Sequence, residues 1–172
     1  MNSFSGVFLL TLGGALAVQA WLASRQLRHV RVHRARVPAP FRGRIALAAH
    51  RKAADYTVAR TRFGLAESLI GAALLLAWTV GGGLELLDDL WRGAGLNELV
   101  TGTLFLLSAF LIMGLLDLPA AIYQTFVLEQ RFGFNKTTPA LFTADLVKQT
   151  VLLLLLGAPL ALAALWLMGA SG

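Results

Sequence analysis

Four stretches of this chain are long, apolar and almost free of charge, and they decide what it can fold into. They run from about 4 to 23, 63 to 80, 99 to 118 and 150 to 168. Each approaches the roughly 20 apolar residues with which an α-helix crosses about 30 Å of hydrocarbon. Inside a bilayer the backbone must satisfy its own hydrogen bonds, so such spans are helical. The expected fold is therefore an all-α integral membrane protein, with about four transmembrane helices forming a single membrane domain over residues 1–172. A cytoplasmic helical hairpin is expected between spans three and four. Charged residues make up 14% of the chain, against about 25% in a soluble domain. With no cysteine, disulfides, thiolate nucleophiles and cysteine zinc sites are excluded.

Charge sets the expected orientation. Between Ser24 and Arg62 stand Arg25, Arg28, Arg31, Arg34, Arg36, Arg42, Arg44, Arg51, Lys52, Arg60 and Arg62, which is 11 of the chain's 15 Lys and Arg residues, against the single acid Asp55. The positive-inside rule puts residues 24–62 in the cytoplasm and both termini outside, with 119–148 cytoplasmic again. A cleaved signal peptide fits the start poorly, because positive charge follows the first apolar run instead of preceding it. The Ala- and Arg-rich composition points to a bacterial inner membrane. Anionic headgroups are the expected partner of the basic segment, at about 1 kcal/mol per basic residue near the surface. Nucleic acid is not expected, since no base-stacking module accompanies the charge.

Local signals refine the picture. Pro38 and Pro40 are expected to end a helix that continues span one, with helix resuming over Gly43–Arg62. Gly13 with Ala17, and Gly64 with Ser68 and Ala72, have the small-residue spacing that favours close helix approach. Glu67, one turn inside span two, is expected to pair with Arg60 or Arg62 at the interface; a functional intramembrane carboxylate is the alternative. Leu84–Leu96 reads as an outer, solvated loop with Trp91 at headgroup depth. Asp117, before Leu118 and Pro119, marks the expected cytoplasmic end of span three.

The most specific stretch is Tyr123–Lys148, YQTFVLEQRFGFNKTTPALFTADLVK. Tyr123, Phe126, Val127, Gln130 and Phe134 are spaced as a helical stripe. Gly133 suits a C-terminal cap. Thr138 suits an N-cap, with Pro139 at the first helical position. Asp145 and Lys148 lie three apart and can pair.

This stretch resembles the type I CAAX prenyl protease family of multi-span zinc endopeptidases. The family carries a segment like Y-x-T-F-V-I-E-E-x-x-G-F-N-K-x-T, then a helix with D-x-x-K, between two spans of its N-terminal membrane domain. The matching residues here are Tyr123, Thr125, Phe126, Val127, Glu129, Gly133, Phe134, Asn135, Lys136, Thr138, Asp145 and Lys148. The resemblance covers essentially the whole chain but only the N-terminal part of the family. It implies a domain that helps wall a membrane chamber and position peptide substrate. Its motif residues would be structural or would face a zinc protease domain in cis.

The family's zinc is held by an H-E-x-x-H helix and a later Glu, all downstream of this domain. Here the histidines are His29, His33 and His50. His29 and His33 have i,i+4 ligand spacing, but Val-Arg-Val between them offers no Glu as base, and Arg28, Arg31 and Arg34 would repel a dication. No catalytic residue, metal site or cofactor is expected in this chain; zinc is expected in a full-length family member. No G-x-S-x-G or phosphate-binding loop occurs. The alternative is a stand-alone, non-enzymatic scaffold of the same ancestry, acting with a partner membrane protein. A small transporter is a weaker reading, for want of a broken-helix pair.

Overall fold

A computed structural model describes residues 3–171. Among the described residues every regular element is helical: α1 (Ser3–His33), a short 3-10 turn (Ala39–Phe41), α2 (Leu47–Thr79), α3 (Gly83–Arg92), α4 (Glu98–Tyr123), a π-helical turn (Gln124–Glu129) and α5 (Pro139–Ser171). The all-α integral membrane expectation holds. Four helices are long and apolar enough to cross a membrane: α1, α2, α4 with its π turn, and α5. At ten residues, α3 is about 15 Å long and too short to cross.

The chain divides into two compact units. The first takes residues up to Leu75 together with Arg131–Gly133; the second takes Leu76–Gln130 and Phe134 onward.

In the first unit, α1 continues as helix beyond its apolar run and ends in Arg31 and His33. Cations in a last turn complement the helix dipole. The link that follows is built, not loose. Arg36 N–H donates to His33 O, Phe41 N–H to Pro38 O, and both Arg44 and Ile45 N–H to Phe41 O. Gly43 takes a positive φ of 85° that other residues rarely adopt. Val37 is buried beneath the link. α2 then runs unbroken through its basic first half into span two. Asp55 lies in that half, eight residues before Phe63, and accepts from Arg34 Nε at 2.6 Å and Nη2 at 2.7 Å. Those hydrogen bonds hold the Asp55 carboxyl below the usual carboxylate range. Glu67 makes no ion pair with Arg60 or Arg62, contrary to expectation. Five and seven residues of helix separate it from them, beyond the three- or four-residue spacing that brings side chains together.

In the second unit, Gly82 has φ 81° and turns the chain out of α2. Most of the segment 84–96, expected as a loop, instead lies in α3, which ends at Arg92. Leu87 is buried, and Trp91 Nε1–H donates to Ser108 Oγ on α4 at 2.8 Å. Asp88 accepts from Arg92 Nε one turn later. Asn97 caps α4 by accepting from Val100 N–H at 2.9 Å. α4 and α5 pack where side chains are missing. A Cβ on Gly102 would lie 2.9 Å from Leu165 Cδ1, and one on Gly157 would lie 3.2 Å from Leu107 Cδ2. The glycines of the expected packing motifs, Gly13 and Gly64, face open space instead.

One further expectation is corrected. Pro119 does not stop span three; it lies inside α4. Its missing N–H leaves one carbonyl free, a defect that membrane helices tolerate. Asp117 therefore sits within a helix and caps nothing. The expected helical hairpin between spans three and four is present. Its arms are the cytoplasm-assigned ends of α4 and α5 themselves.

Candidate functional site

The hairpin turn is held by a chain of side-chain hydrogen bonds. It begins where α4 widens into the π turn, a rare geometry that recurs at functional sites. The wider turn spoils the simple stripe. Tyr123 and Val127 are exposed, and Leu128 is the residue that becomes buried. Gln124 Nε2 reaches Glu129 Oε1 across the turn at 3.5 Å. The Glu129 carbonyl closes the helix, accepting from Phe134 N–H at 2.9 Å and Asn135 N–H at 3.4 Å. Gly133, at φ 66°, makes that reversal, as a C-terminal cap glycine does.

Asn135 ties the turn from both sides of its amide. Its Nδ2 donates to Gln130 Oε1 at 3.0 Å, and its Oδ1 accepts from Thr137 N–H at 2.6 Å. Thr138 Oγ1 accepts from Leu141 N–H at 3.2 Å, so Thr138 is the N-cap of α5 and Pro139 its first residue. Phe126 and Phe142 meet edge to face at 5.4 Å and close the two arms.

The structure thus brings Glu129, Asn135 and Thr138 into one bonded turn, with Gln124, Gln130 and Thr137, which the motif reading did not single out. Phe126 joins it through Phe142. Thr125 is half-buried in the π turn, and Lys136 is exposed on the turn. Asp145 and Lys148 stand two turns along α5, 3.6 Å apart, as an exposed pair. They touch none of the turn residues in the hydrogen bonds described.

In the first unit, Phe132 packs against Tyr56 at 5.4 Å, edge to face. Arg60 Nη1 donates to the Tyr56 hydroxyl at 2.9 Å. Phe132 falls at a variable position of the family segment, so nothing in the motif points to it.

The three histidines gather near the α1–α2 link. His29, His33 and His50 line a cavity of about 320 Å³ with Pro38, Ala53 and Thr57. One ring nitrogen of His33 and one of His50 bond to backbone: His33 Nδ1 to His29 O at 2.8 Å and His50 Nε2 to His33 O at 3.0 Å. Among the described residues no three His, Cys, Asp or Glu side chains are grouped to hold a metal ion. The described residues do not fit a zinc site. What the hairpin offers is a turn of amides, hydroxyls and one carboxylate bonded to one another.

Fold and site together define a multi-span helical membrane domain whose polar surface is a capped helix–turn–helix. The family described as CAAX prenyl protease N-terminal, five membrane helices, matches residues 26–172. The chain belongs to that family and is a membrane N-terminal domain of the CAAX prenyl protease type. It is 37% identical over 76 residues to the CAAX prenyl protease 1 homolog of Arabidopsis thaliana, covering 44% of this chain and 18% of that one. It is 29% identical over 140 residues to the Mus musculus homolog, covering 77% of this chain and 29% of that protein. The crystal structure of S. mikatae Ste24p superposes with a TM-score of 0.75 at 23% identity, over 86% of this chain and 35% of that one. The chain therefore spans less than a third of either curated relative. The family's five membrane helices compare with four of crossing length among the described residues.

Proposed function

We propose that this domain forms part of the wall of a membrane chamber that positions peptide substrate for a CAAX-type zinc endopeptidase. The single observation that carries the reading is the family match over residues 26–172. The bonded hairpin supports it, because a surface so fully capped is pre-organised to meet a second polypeptide. In this reading residues 1–172 act as one membrane domain. A zinc protease domain lies downstream in cis and supplies the H-E-x-x-H helix and its metal. Glu129, Asn135, Lys136, Asp145 and Lys148 face or brace that domain. Tyr123, Thr125, Phe126, Gly133, Phe134 and Thr138 shape the hairpin. None of them is catalytic.

The positive-inside rule supports cytoplasmic placement of 24–62 and 119–148, with both termini outside. The Ala- and Arg-rich composition supports a bacterial inner membrane, although the relatives named above are eukaryotic.

The test is made on the native gene product isolated from its own membrane. A mass well above the 18.4 kDa of these residues, bound zinc, and metal-dependent cleavage of a CAAX-type peptide are the expected results. A product of about this mass without zinc or peptidase activity would replace the reading with a scaffold of the same ancestry.

A further inference from the structure

The short helix α3 divides cleanly into two faces. At about 100° per residue, Leu84, Leu86, Leu87, Leu90 and Trp91 fall within an arc of about 160°. Glu85, Asp88, Asp89 and Arg92 fill the rest of the circle. One part of the apolar arc is used inside the fold. Leu87 is buried, and Trp91 Nε1–H donates to Ser108 Oγ on α4 at 2.8 Å. The other part is bare: Leu86 is 74% exposed and Leu90 67%.

Depth, direction and composition together say what covers that flank. Ser108 stands ten residues beyond Glu98, the first residue of α4. That is about 15 Å along the helix axis, so α3 lies beside the membrane-crossing helix and not beyond its end. Only Val80–Gly82 separate it from α2, and only Gly93–Asn97 from α4. Asp88 and Arg92 line a cavity of about 490 Å³ with Glu98, Thr101 and Phe105, which belong to the first turns of α4. The charged flank of α3 therefore faces the end of α4. Leu86 and Leu90 lie about 120–160° round the helix from Asp88 and Arg92, and so turn the other way, toward the middle of the span. Helices that associate within a membrane meet through small residues or polar side chains. Residues 84–92 contain no Gly, Ala, Ser or Thr, and their polar side chains are on the opposite flank. Two protruding leucines suit flexible hydrocarbon chains better than the ridged surface of a second helix.

We propose that α3 is an in-plane helix that binds acyl chains of the leaflet at the Glu98 end of α4. Leu86 and Leu90 sink into the hydrocarbon, while Glu85 and Asp89 stay at the water-facing surface. The Asp88–Arg92 pair, at 2.6 Å, keeps the guanidinium matched where the helix borders the headgroups. The inference needs neither a downstream protease domain nor a particular orientation in the membrane, so it stands apart from the proposed function.

Because the chain has no cysteine, single labels report on each flank separately. The variants E85C, L86C, D89C and L90C of the full gene product are labelled with bimane in nanodiscs of phosphatidylcholine and phosphatidylglycerol. Quenching by lipids brominated on the acyl chain is expected to be at least about twofold stronger at 86 and 90 than at 85 and 89. Quenching by aqueous iodide is expected to run in the reverse order. Equal lipid quenching at all four sites, or stronger iodide quenching at 86 and 90, overturns the proposal. Labels at 86 and 90 shielded from both quenchers overturn it too, because a polypeptide, either a second copy or a further stretch of chain, would then cover the flank.

Discussion

The edge of one ring meets the face of the other where Phe132 packs on Tyr56, with centroids 5.4 Å apart. One residue comes from the basic half of α2 and the other from the turn after α4, so a single aromatic contact joins parts far apart in sequence. Such pairs contribute about 0.5–1.5 kcal/mol beyond their area. F132A and Y56A are each expected to lower stability in detergent, and the double variant to cost less than the sum of the two. A double-mutant cycle on thermal unfolding reads this coupling, and strict additivity would deny it.

The caps of the hairpin are expected to matter in a graded way. T138A removes the side-chain acceptor of Leu141 N–H and should cost about 0.5–2 kcal/mol, whereas T138S should restore most of it. Hydrogen exchange at the first turn of α5 measures the difference locally. Equal protection in T138A and wild type would remove Thr138 from its capping role.

Acid should loosen the first unit through Asp55. Its carboxyl titrates below its usual value because Arg34 hydrogen-bonds the charged form. A depressed folded pKa contributes stability above the unfolded value, near 3.9, and that contribution is lost as pH falls through the folded value. Melting temperature should therefore drop more steeply below about pH 4 in the wild type than in D55N. Parallel pH profiles for the two proteins would contradict this.

Close approach of α4 and α5 depends on Gly102. G102A brings a methyl to 2.9 Å from Leu165 Cδ1, the mobile end of a side chain that can shift. G102L has no such escape and should cost about 1–3 kcal/mol by overpacking. L165A in the same chain should recover part of it. Stability of the G102L, G102A and G102L/L165A variants in lipid nanodiscs gives the comparison, and an unaffected G102L would mean the helices are not in contact there.

The spans were legible because a run of about 20 apolar residues has few other fates. The caps at Gly133 and Thr138 were legible because each relies on a residue type that few others replace. What escaped the sequence depended on geometry between distant residues. Pro119 reads as a stop, yet the membrane helix absorbs it. Gly102 and Gly157 carry the packing that Gly13 and Gly64 seemed to promise, since a small residue matters only where a neighbour arrives. Glu67 was matched to arginines by charge, although Arg60 lies two turns away along the helix and Arg62 on another face. In the candidate site, the family motif pointed to Glu129 and Asn135. That Gln124 and Gln130 are their partners became visible only once the π turn set the phase, although Gln130 already stood in the helical stripe, and the motif segment had no signal for Phe132.

The π turn also puts a constraint on the gene that no alphabet of residues expresses. From Gln124 to Glu129 the backbone accommodates one residue more than an α-helix would use. Losing any single codon there would let the helix relax to ordinary winding and rotate everything after it by about 100°. The Gly133 reversal and the start of α5 would then leave in a new direction. Substitutions across this segment can be mild, but a change in its length cannot, so insertions and deletions should be scarcer here than letter changes.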